Sequence, residues 1–298
     1  MDKKYVELAK KIEAMESEIQ YWKKEVLDLE QLTIRKLKNP YLEFEVHLAD
    51  HCNLNCKGCD HFSPLAEEHY TSIEEYERDL IRLSDLFGDR VRSIHLLGGE
   101  PLLNPSVVLF MQLTRKYFPY NSTVIDLVTN GLLISKQSKE FYDTCRDCCI
   151  RIRITKYPIK FMYDELLQNL LEMGINASFY NDITQEKTLY KMLLTKDEQM
   201  DVRRNFYKCT VANRCIMLKN GKLYPCTLIP NIEHFNKYFD DNFEVSTRDF
   251  IDIYSVQSDT EILEFLHNPV PFCRYCNSED KEYGLEWGIS KKQKSEWM

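Results

Sequence analysis

Apolar residues in the first part of the chain recur at alternating spacings of three and four, which is the period of one helix face. The stripe runs through 1–37 over about four heptads, and Lys and Glu fill the other faces. Its members are Tyr5, Leu8, Ile12, Met15, Ile19, Trp22, Val26 and Leu29. The Asn39-Pro40 pair ends the pattern, because a residue before proline avoids helical geometry. The stripe predicts a long N-terminal helix that either forms a coiled coil with a partner or packs against its own chain.

From residue 42 onward, strand-like runs alternate with helical periods. The predicted strands are 43–49, 93–98, 123–129, 150–155 and 175–180. The predicted helices are 73–87, 105–117, 136–147 and 160–173. Repeated βα units predict a parallel sheet with helices outside it, arranged either as a barrel or as a doubly wound sheet.

The βα rhythm stops near residue 205, where short segments and a hairpin at Asn220-Gly221 follow. We therefore expect four regions. They are a heptad helix over 1–40, an α/β core over 41–200, a small α+β domain over 201–287 and a polar tail over 288–298.

The composition narrows the function classes. The chain has 298 residues and a net charge of −8, which argues against a general binder of nucleic acid. It has no apolar run that resembles an export signal or a membrane span. Eleven cysteines in such a chain favour metal or redox chemistry in a reducing cytoplasm over a disulfide framework. Cytoplasmic localisation is therefore expected.

Three of these cysteines form a tight group directly after the first predicted strand. Cys52, Cys56 and Cys59 are spaced C-x3-C-x2-C. Three thiolates on one loop can ligate three irons of a 4Fe–4S cube and leave the fourth iron open to a small molecule. A structural zinc site normally has four protein ligands, so zinc fits this loop less well.

A second motif, LLGGEP, stands at the end of the second predicted strand. Together with the C-x3-C-x2-C loop it makes residues 42–195 resemble the radical S-adenosylmethionine (SAM) superfamily. The resemblance implies a partial (β/α)6 TIM-type barrel and a cluster that donates one electron to SAM. The 5′-deoxyadenosyl radical so formed would remove a hydrogen atom from the substrate, with the protein supplying binding and orientation. A buried cysteine-rich loop with no metal is the plainer alternative, and it does not account for both motifs.

The resemblance also implies which residues bind SAM. In the family, the GGE motif contacts the amino group of SAM, Thr129-Asn130-Gly131 ends the third strand, and a hydroxyl often lies near the ribose. The expected SAM-binding residues are Gly98, Gly99, Glu100, Pro101, Asn130, Arg153 and Thr155. Many members have an aromatic residue before the third cysteine, but this chain has Gly58. Adenine packing is therefore expected from His61 or Phe62 instead.

Strand alternation indicates what lines the barrel. In 150–155 the arginines share one face and the isoleucines the other, and the first strand alternates in the same way. The residues expected to point inward are Glu45, His47, His95, Arg151 and Arg153. Such an interior suits a polar substrate, although internal ion pairing is an equal alternative.

Four later cysteines form a second group, Cys209, Cys226, Cys273 and Cys276. With Gly221 they match C-x(9–15)-G-x4-C followed by C-x2-C, which resembles the twitch domain, a shortened SPASM domain. Four thiolates can fully ligate an auxiliary 4Fe–4S cluster, and the alternative is a structural zinc ion.

The remaining cysteines fit no ligand position. Cys215 is interpreted as a buried thiol, an alternative ligand or a hydrogen-atom donor in catalysis. Cys145, Cys148 and Cys149 are interpreted as buried or bystander thiols.

Twitch-bearing relatives oxidise or epimerise small polyhydroxylated molecules, whereas larger SPASM relatives often modify peptides. We therefore expect a radical SAM oxidoreductase that oxidises a hydroxyl carbon of a sugar-like or aminocyclitol-like substrate. A radical epimerase and a peptide maturase are the alternatives. Expected partners are the small polar substrate and an electron donor such as flavodoxin or ferredoxin, with a homodimer through the N-terminal helix as a further alternative. No nucleic acid or membrane is expected to bind.

Overall fold

The computed structural model describes residues 10–24, 26, 39–119, 122–180, 189–196 and 200–298. These residues fall into two compact units, Met1–Asn39 and Pro40–Met298. The predicted boundaries at 200 and 287 lie inside the second unit and stay predictions. None of the described helices is both long enough and apolar enough to cross a membrane.

The first unit contains one described helix, α1, over 10–24 and residue 26, as the heptad stripe predicts. The described members of the stripe are between 48% and 61% exposed, namely Ile12, Met15, Ile19, Trp22 and Val26. The other predicted members, Tyr5, Leu8 and Leu29, lie outside the described residues. The stripe is therefore an apolar surface that faces solvent along α1.

The second unit is built on a parallel sheet whose strands lie close to the predicted ones. They are β1 (Leu42–Ala49), β2 (Val91–Gly98), β3 (Val124–Thr129), β4 (Ile150–Ile154) and β5 (Ala177–Phe179). The intervening helices are α2 (Ile73–Phe87), α3 (Val107–Tyr117), α4 (Lys139–Asp147) and α5 (Tyr163–Glu172). The expected mixed α/β fold with a parallel sheet is confirmed, and the boundaries follow local signals. Ser72, for example, starts α2 by accepting a hydrogen bond from the Glu75 N–H.

A sixth parallel strand comes from beyond the expected core. β7 (Met217–Lys219) pairs with β1, and β8 (Lys222–Tyr224) and β9 (Ile251–Asp252) extend that side antiparallel. The sheet order is β5-β4-β3-β2-β1-β7-β8-β9. The hairpin expected at Asn220-Gly221 is the β7–β8 turn, where both residues have positive φ. Strand β7 therefore ties the region after residue 200 to the barrel sheet.

The main core lies between the sheet and its outer helices. The strand residues that face the helices are fully or almost fully buried, among them Phe44, Ile94, Leu127 and Ile152, and Phe110 of α3 packs among them. Because strand side chains alternate between the two faces, the polar residues between these apolar ones point into the barrel.

A second core holds the C-terminal part together. Its largest buried side chains are Phe62, Phe235, Phe243, Phe272 and Trp297. The elements around it include β6 (Leu189–Leu194), α6 (Val202–Lys208), α7 (Leu228–Phe239), α8 (Asp259–Leu266) and β10 (Cys276–Leu285), with β10 antiparallel to β6. Residues 288–298 were expected to be a polar tail, but they carry Trp297 into this core and pack against the body of the unit.

Candidate active site

The loop after β1 brings Cys52, Cys56 and Cys59 together. Burial, helped by negative charge on Glu100, Cys59 and Cys56, raises the pKa of the Cys52 thiol to about 12. Three thiolates in such a place repel one another unless cationic metal is bound. This donor set therefore fits an iron–sulfur cluster, whose irons supply the missing positive charge.

Hydrogen-bond donors already point at these sulfurs. The Leu54 N–H donates to Cys52 Sγ at 3.4 Å, and the Trp287 indole N–H donates to Cys56 Sγ at 3.2 Å. Tyr157 lies within electrostatic range of all three cysteines and hydrogen-bonds Cys56. Such donors stabilise the thiolate form, which is the form that ligates metal.

The two glycines of the GGE motif are needed because the ends of β1 and β2 lie almost in contact. A Cβ on Gly98 would stand 2.2 Å from the Ala49 carbonyl oxygen, and a Cβ on Gly99 would stand 2.2 Å from that of His51. The Gly99 N–H donates to Ala49 O at 2.8 Å. Their small size thus brings the second strand against the cysteine loop, a packing role that the motif alone does not reveal.

Glu100 is fully buried beside this contact. Its Oε1 accepts from the Thr129 hydroxyl at 2.7 Å and from the Leu102 N–H at 3.1 Å, and its Oε2 accepts from the Asn130 N–H at 2.9 Å. Burial raises its pKa to about 7 although these hydrogen bonds lower it. One acceptor position remains on Oε2, which is the acceptor that the ammonium of SAM would need.

The other residues expected to bind SAM lie on strand ends at the same side of the sheet. Pro101 begins a short 3₁₀ helix, and the Asn130 side chain donates to Asn53 Oδ1 at 2.7 Å, next to Cys52. Arg153 donates to the Ser178 hydroxyl, and the Thr155 N–H donates to Thr129 O at 2.9 Å. Their contact with SAM stays a prediction.

Charged side chains form one continuous row across four strands of the barrel. Sheet register places Glu45 opposite His95, His95 opposite Asp126 and Asp126 opposite Arg151. Arg151 binds Asp126 with two hydrogen bonds of 2.6 and 2.8 Å, and His95 Nε2 lies 3.5 Å from Asp126 Oδ2. Arg151, Asp126 and His95 thus form a chain of polar contacts inside the barrel, and His95 Nδ1 lies 4.0 Å from Glu45 Oε1 at its end. Asp126 was missed as a candidate, although the alternation in 123–129 would have placed it there.

Cys215 stands at the Glu45 end of this row. Its thiol hydrogen-bonds the Glu45 carboxylate, while Glu45 Oε2 is buried and has no partner among the described residues. Burial raises the pKa of Glu45 to about 7 and holds that of Cys215 well above its usual value. A protonated thiol and a carboxyl group that titrates near neutrality therefore lie side by side.

The four cysteines of the C-terminal group lie within electrostatic range of one another. Burial raises the pKa of Cys226 and Cys276, and each is raised further by charge on Cys273 and Cys209. The N–H groups of Val211 and Ala212 donate to Cys209 Sγ, both at 3.3 Å. Four thiols with backbone donors fit a fully ligated iron–sulfur cluster.

Within the described residues, no group of three His, Cys, Asp or Glu side chains converges as ligands of a single metal ion. A cube has four separate iron corners, so its ligands need not meet at one point. The zinc alternative for the C-terminal group stays open to direct test.

Three other cysteines lie at the end of α4. Cys145 is buried in the main core, and Cys149 is exposed with a positive φ. Arg115 donates to the carbonyl oxygens of Cys148 and Cys149, so this turn is held by its backbone. The arrangement is compatible with the expected bystander role.

His47 and the two adenine candidates have other partners. The His47 ring meets the His61 ring edge-on at 4.7 Å, and its Nδ1 lies 3.4 Å from Asp50. Phe62 is fully buried against Phe235 and Trp297. Phe62 is therefore a core residue, and of the two candidates only His61 stays a prediction.

The sequence interpretation also missed the C-terminal residues that reach the first cysteine loop. The Trp297 indole N–H donates to Cys59 O at 3.0 Å, and a Cβ on Gly58 would stand 3.1 Å from Glu296 O. Gly58 could have indicated this contact. It stands where many members of the family have an aromatic residue, and here the backbone at Glu296 lies close to it.

Comparison with known proteins finds a family match over the region that holds the first cysteine loop and the GGE motif. A sequence family described as "4Fe-4S single cluster domain" matches residues 45–154. A GTP 3′,8-cyclase of Staphylococcus epidermidis is 26% identical over 151 residues, which are 48% of this chain and 41% of that protein. A probable GTP 3′,8-cyclase of Pyrococcus abyssi is 29% identical over 118 residues, 39% of this chain and 36% of that protein. The chain thus spans about two fifths of the length of the curated relatives it matches.

Among solved structures, BtrN in complex with AdoMet and 2-DOIA aligns over 80% of this chain and 93% of its own. The TM-score is 0.50 and the identity 18%. AdoMet-bound anSMEcpe aligns over 82% of this chain and 93% of its own, with a TM-score of 0.48 and 13% identity. The BtrN alignment shows that the fold is shared.

Proposed function

We propose a reaction for this chain on the premise that it is a radical SAM enzyme, with 4Fe–4S clusters and SAM as cofactors. In this reaction a hydrogen atom is removed from a hydroxyl-bearing carbon of a small polar molecule, sugar-like or aminocyclitol-like, and that carbon is oxidised to a carbonyl. When bound, the cofactors supply the electron and the 5′-deoxyadenosyl radical that removes the hydrogen atom.

The observation that carries this proposal is the charged row that ends at Glu45 and Cys215. Oxidation of a hydroxyl carbon removes a hydrogen atom from carbon, a proton from oxygen and one further electron. Glu45 is buried, has a free carboxylate oxygen within the described part of the chain and has its pKa raised to about 7, so it suits a proton acceptor near neutral pH. Arg151, held by Asp126, and His95 supply polar contacts for substrate hydroxyl groups.

The second cysteine group suits a cluster that accepts the one further electron released by this oxidation. Cys215 lies within electrostatic range of both Glu45 and Cys226, so the barrel interior and the four-thiol group meet at this residue. A cluster there would have all four irons ligated by protein, which suits electron transfer rather than substrate binding.

Epimerisation is the second candidate, and the position of Cys215 favours it. A thiol whose pKa is well above its usual value keeps its hydrogen and is able to return one to a carbon radical. The S–H bond would break, a C–H bond would form on the opposite face, and the sulfur radical would then need one electron from the neighbouring cluster. The peptide-maturase alternative has no comparable support among the described residues.

The experiment is anaerobic reconstitution with iron and sulfide, followed by incubation with SAM, dithionite and a panel of aminocyclitols, sugars and GTP. We expect 5′-deoxyadenosine to form, and a carbonyl product to accumulate with an aminocyclitol or a sugar. The C52A/C56A/C59A variant should form none, while C149A, which removes an exposed thiol outside both groups, should match the natural chain. Continued SAM cleavage by the triple variant would overturn the proposal.

Heavy water separates the two candidate outcomes. Epimerisation through Cys215 incorporates one solvent deuterium at the inverted carbon, because a thiol exchanges with solvent. Dehydrogenation leaves a carbonyl with no deuterium on that carbon. If GTP were the only compound of the panel to be converted, the proposed substrate class would be contradicted.

We further infer a cytoplasmic protein that receives electrons from a flavodoxin or ferredoxin and that dimerises through α1. In support, none of the eleven cysteines, all of which are described residues, forms a disulfide, as expected in a reducing compartment. The exposed apolar stripe of α1 supports the dimer.

A further inference from the structure

Residues 286–298, here called the C-terminal segment, lie against the first cysteine loop. The Lys57 N–H donates to Gly288 O at 2.8 Å, and the Ser290 N–H donates to Asn55 O at 2.8 Å. Cys56 and Ile289 form an antiparallel bridge between these two hydrogen bonds. Cys56, the central cysteine of the loop, is therefore held in a short antiparallel pairing that has a hydrogen bond on each side of it.

This pairing brings an indole donor to a proposed cluster ligand. Trp287 Nε1 lies 3.2 Å from Cys56 Sγ, and its ring is partly buried. The Tyr157 ring meets the Trp287 ring at 5.9 Å in an edge-on arrangement and itself hydrogen-bonds Cys56. Two aromatic side chains from distant parts of the chain thus converge on one sulfur.

The far end of the segment is anchored independently. Trp297 is 2% exposed, donates to Cys59 O at 3.0 Å and packs against Phe62, three residues after that cysteine. Trp287 directly precedes Gly288 in the loop pairing, so that pairing fixes its backbone, and the anchor at Trp297 fixes the rest of the segment. A side chain fixed in this way would keep its hydrogen bond to the sulfur whichever charge a bound cluster carried.

A hydrogen bond to a ligand sulfur stabilises the more negative, reduced state of a cluster, and such bonds are among the factors that set cluster potentials. We propose that Trp287 is a positioning residue that raises the reduction potential of the cluster bound at Cys52, Cys56 and Cys59. Tyr157 acts in the same direction through the same sulfur. The inference rests on the proposed cluster at this loop, and it assigns a role to a part of the chain that the core motifs do not include.

The test is an EPR-monitored redox titration of the reconstituted full chain and its Trp287→Phe variant. In Trp287→Phe we expect the ratio of reduced to oxidised first cluster at a fixed potential to fall about tenfold. For a one-electron couple this corresponds to a midpoint potential that is lower by ~59 mV. The signal of the first cluster is the one that changes when SAM is added, and the second cluster serves as an internal reference. Trp22→Phe, on an exposed face of α1, is the matched control and should leave both midpoints in place.

Tyr157→Phe is the second variant, in case Trp287→Phe binds less iron than the natural chain. It removes only a hydroxyl group and should lower the same midpoint. An unchanged first-cluster midpoint in a variant with full iron content would overturn the inference while leaving the proposed function standing. Absence of any SAM-responsive cluster in the natural chain would overturn both.

Discussion

Glu45 combines burial with incomplete hydrogen bonding, and at the scale of the single residue this makes it the most informative side chain of the barrel. It is 4% exposed, and its Oε2 has no hydrogen-bond partner within the described residues. Burial is the main cause that raises its pKa from 4.5 to about 7, and the Cys215 hydrogen bond only partly opposes it. The folded chain therefore binds a proton here more tightly than the unfolded chain does.

This difference predicts how Glu45→Gln changes stability with pH. Between pH 4.5 and 7 the folded state holds a proton that the unfolded state has released, so the free energy of unfolding falls as pH rises through this range. Above pH 7 the full cost of the buried charge is present. Glutamine cannot ionise, so the variant should gain stability relative to the natural chain as pH rises. The gain is up to ~3 kcal/mol, at 1.36 kcal/mol per pKa unit.

The measurement is anaerobic urea unfolding of both chains from pH 5 to pH 8. Glu43→Gln, at a more exposed carboxylate on the same strand, is the control and should show no such trend. A difference between Glu45→Gln and the natural chain that stays constant across the range would contradict the raised pKa.

Gly99 gives a second test at the residue scale. A methyl group there would meet the His51 carbonyl oxygen at 2.2 Å, so the backbone of β2 or of the cysteine loop must move. Gly99→Ala should lower the free energy of unfolding by about 1–3 kcal/mol, as overpacked sites do. Gly288→Ala, with nothing within 4 Å of its added Cβ, is the matched control for thermal unfolding. Equal melting temperatures for the two variants would contradict the close approach.

At the scale of elements, strand alternation and the register of parallel strands together produce the charged row. The alternation in 43–49, 93–98 and 150–155 was enough to predict that Glu45, His95 and Arg151 point inward. The pairing that places them in one row depends on register, which needs the folded sheet. The spacing of the cysteines likewise predicted two groups of thiols, and their role as ligands stays a prediction. It did not predict that Cys215 would contact Glu45, since that contact depends on β7 pairing with β1.

Helix α1 leads to a prediction about the oligomeric state of the chain. Its described stripe residues are about half exposed, and a coiled-coil partner would cover them. Sedimentation equilibrium should find a dimer for the natural chain and a monomer for Ile12→Lys/Ile19→Lys, because two charges would enter the seam. Ser17→Lys, on the opposite face, should stay dimeric. A natural chain that sediments as a monomer would disprove the dimer.

At the scale of the whole molecule, the barrel sheet and the second cysteine group belong to one compact unit. The βα pattern predicted the parallel sheet and its outer helices well, because each element carries its own local signal. It missed the sixth parallel strand, β7, because a strand of three residues has too short a pattern to be assigned to a sheet. It also missed the C-terminal segment, since the lone tryptophans of a polar stretch show no periodicity that predicts burial.

Iron content tests the two cysteine groups as separate sites. The reconstituted chain should hold about eight irons, from two cubes of four. C52A/C56A/C59A should hold about four, and so should C209A/C226A/C273A/C276A. Zinc in place of iron in C52A/C56A/C59A would identify the C-terminal cysteine group as a structural zinc site and contradict an auxiliary cluster.

The pairing between the cysteine loop and the C-terminal segment has a consequence for the order of biosynthesis. Cys56 and Trp287 are 231 positions apart, so the loop leaves the ribosome long before its cover exists. During that interval the segment cannot cover the three thiols, which would leave them open to metal and also to oxygen. Synthesis of residues 286–298 would then act as a closing step, after which insertion of iron would require this segment to detach.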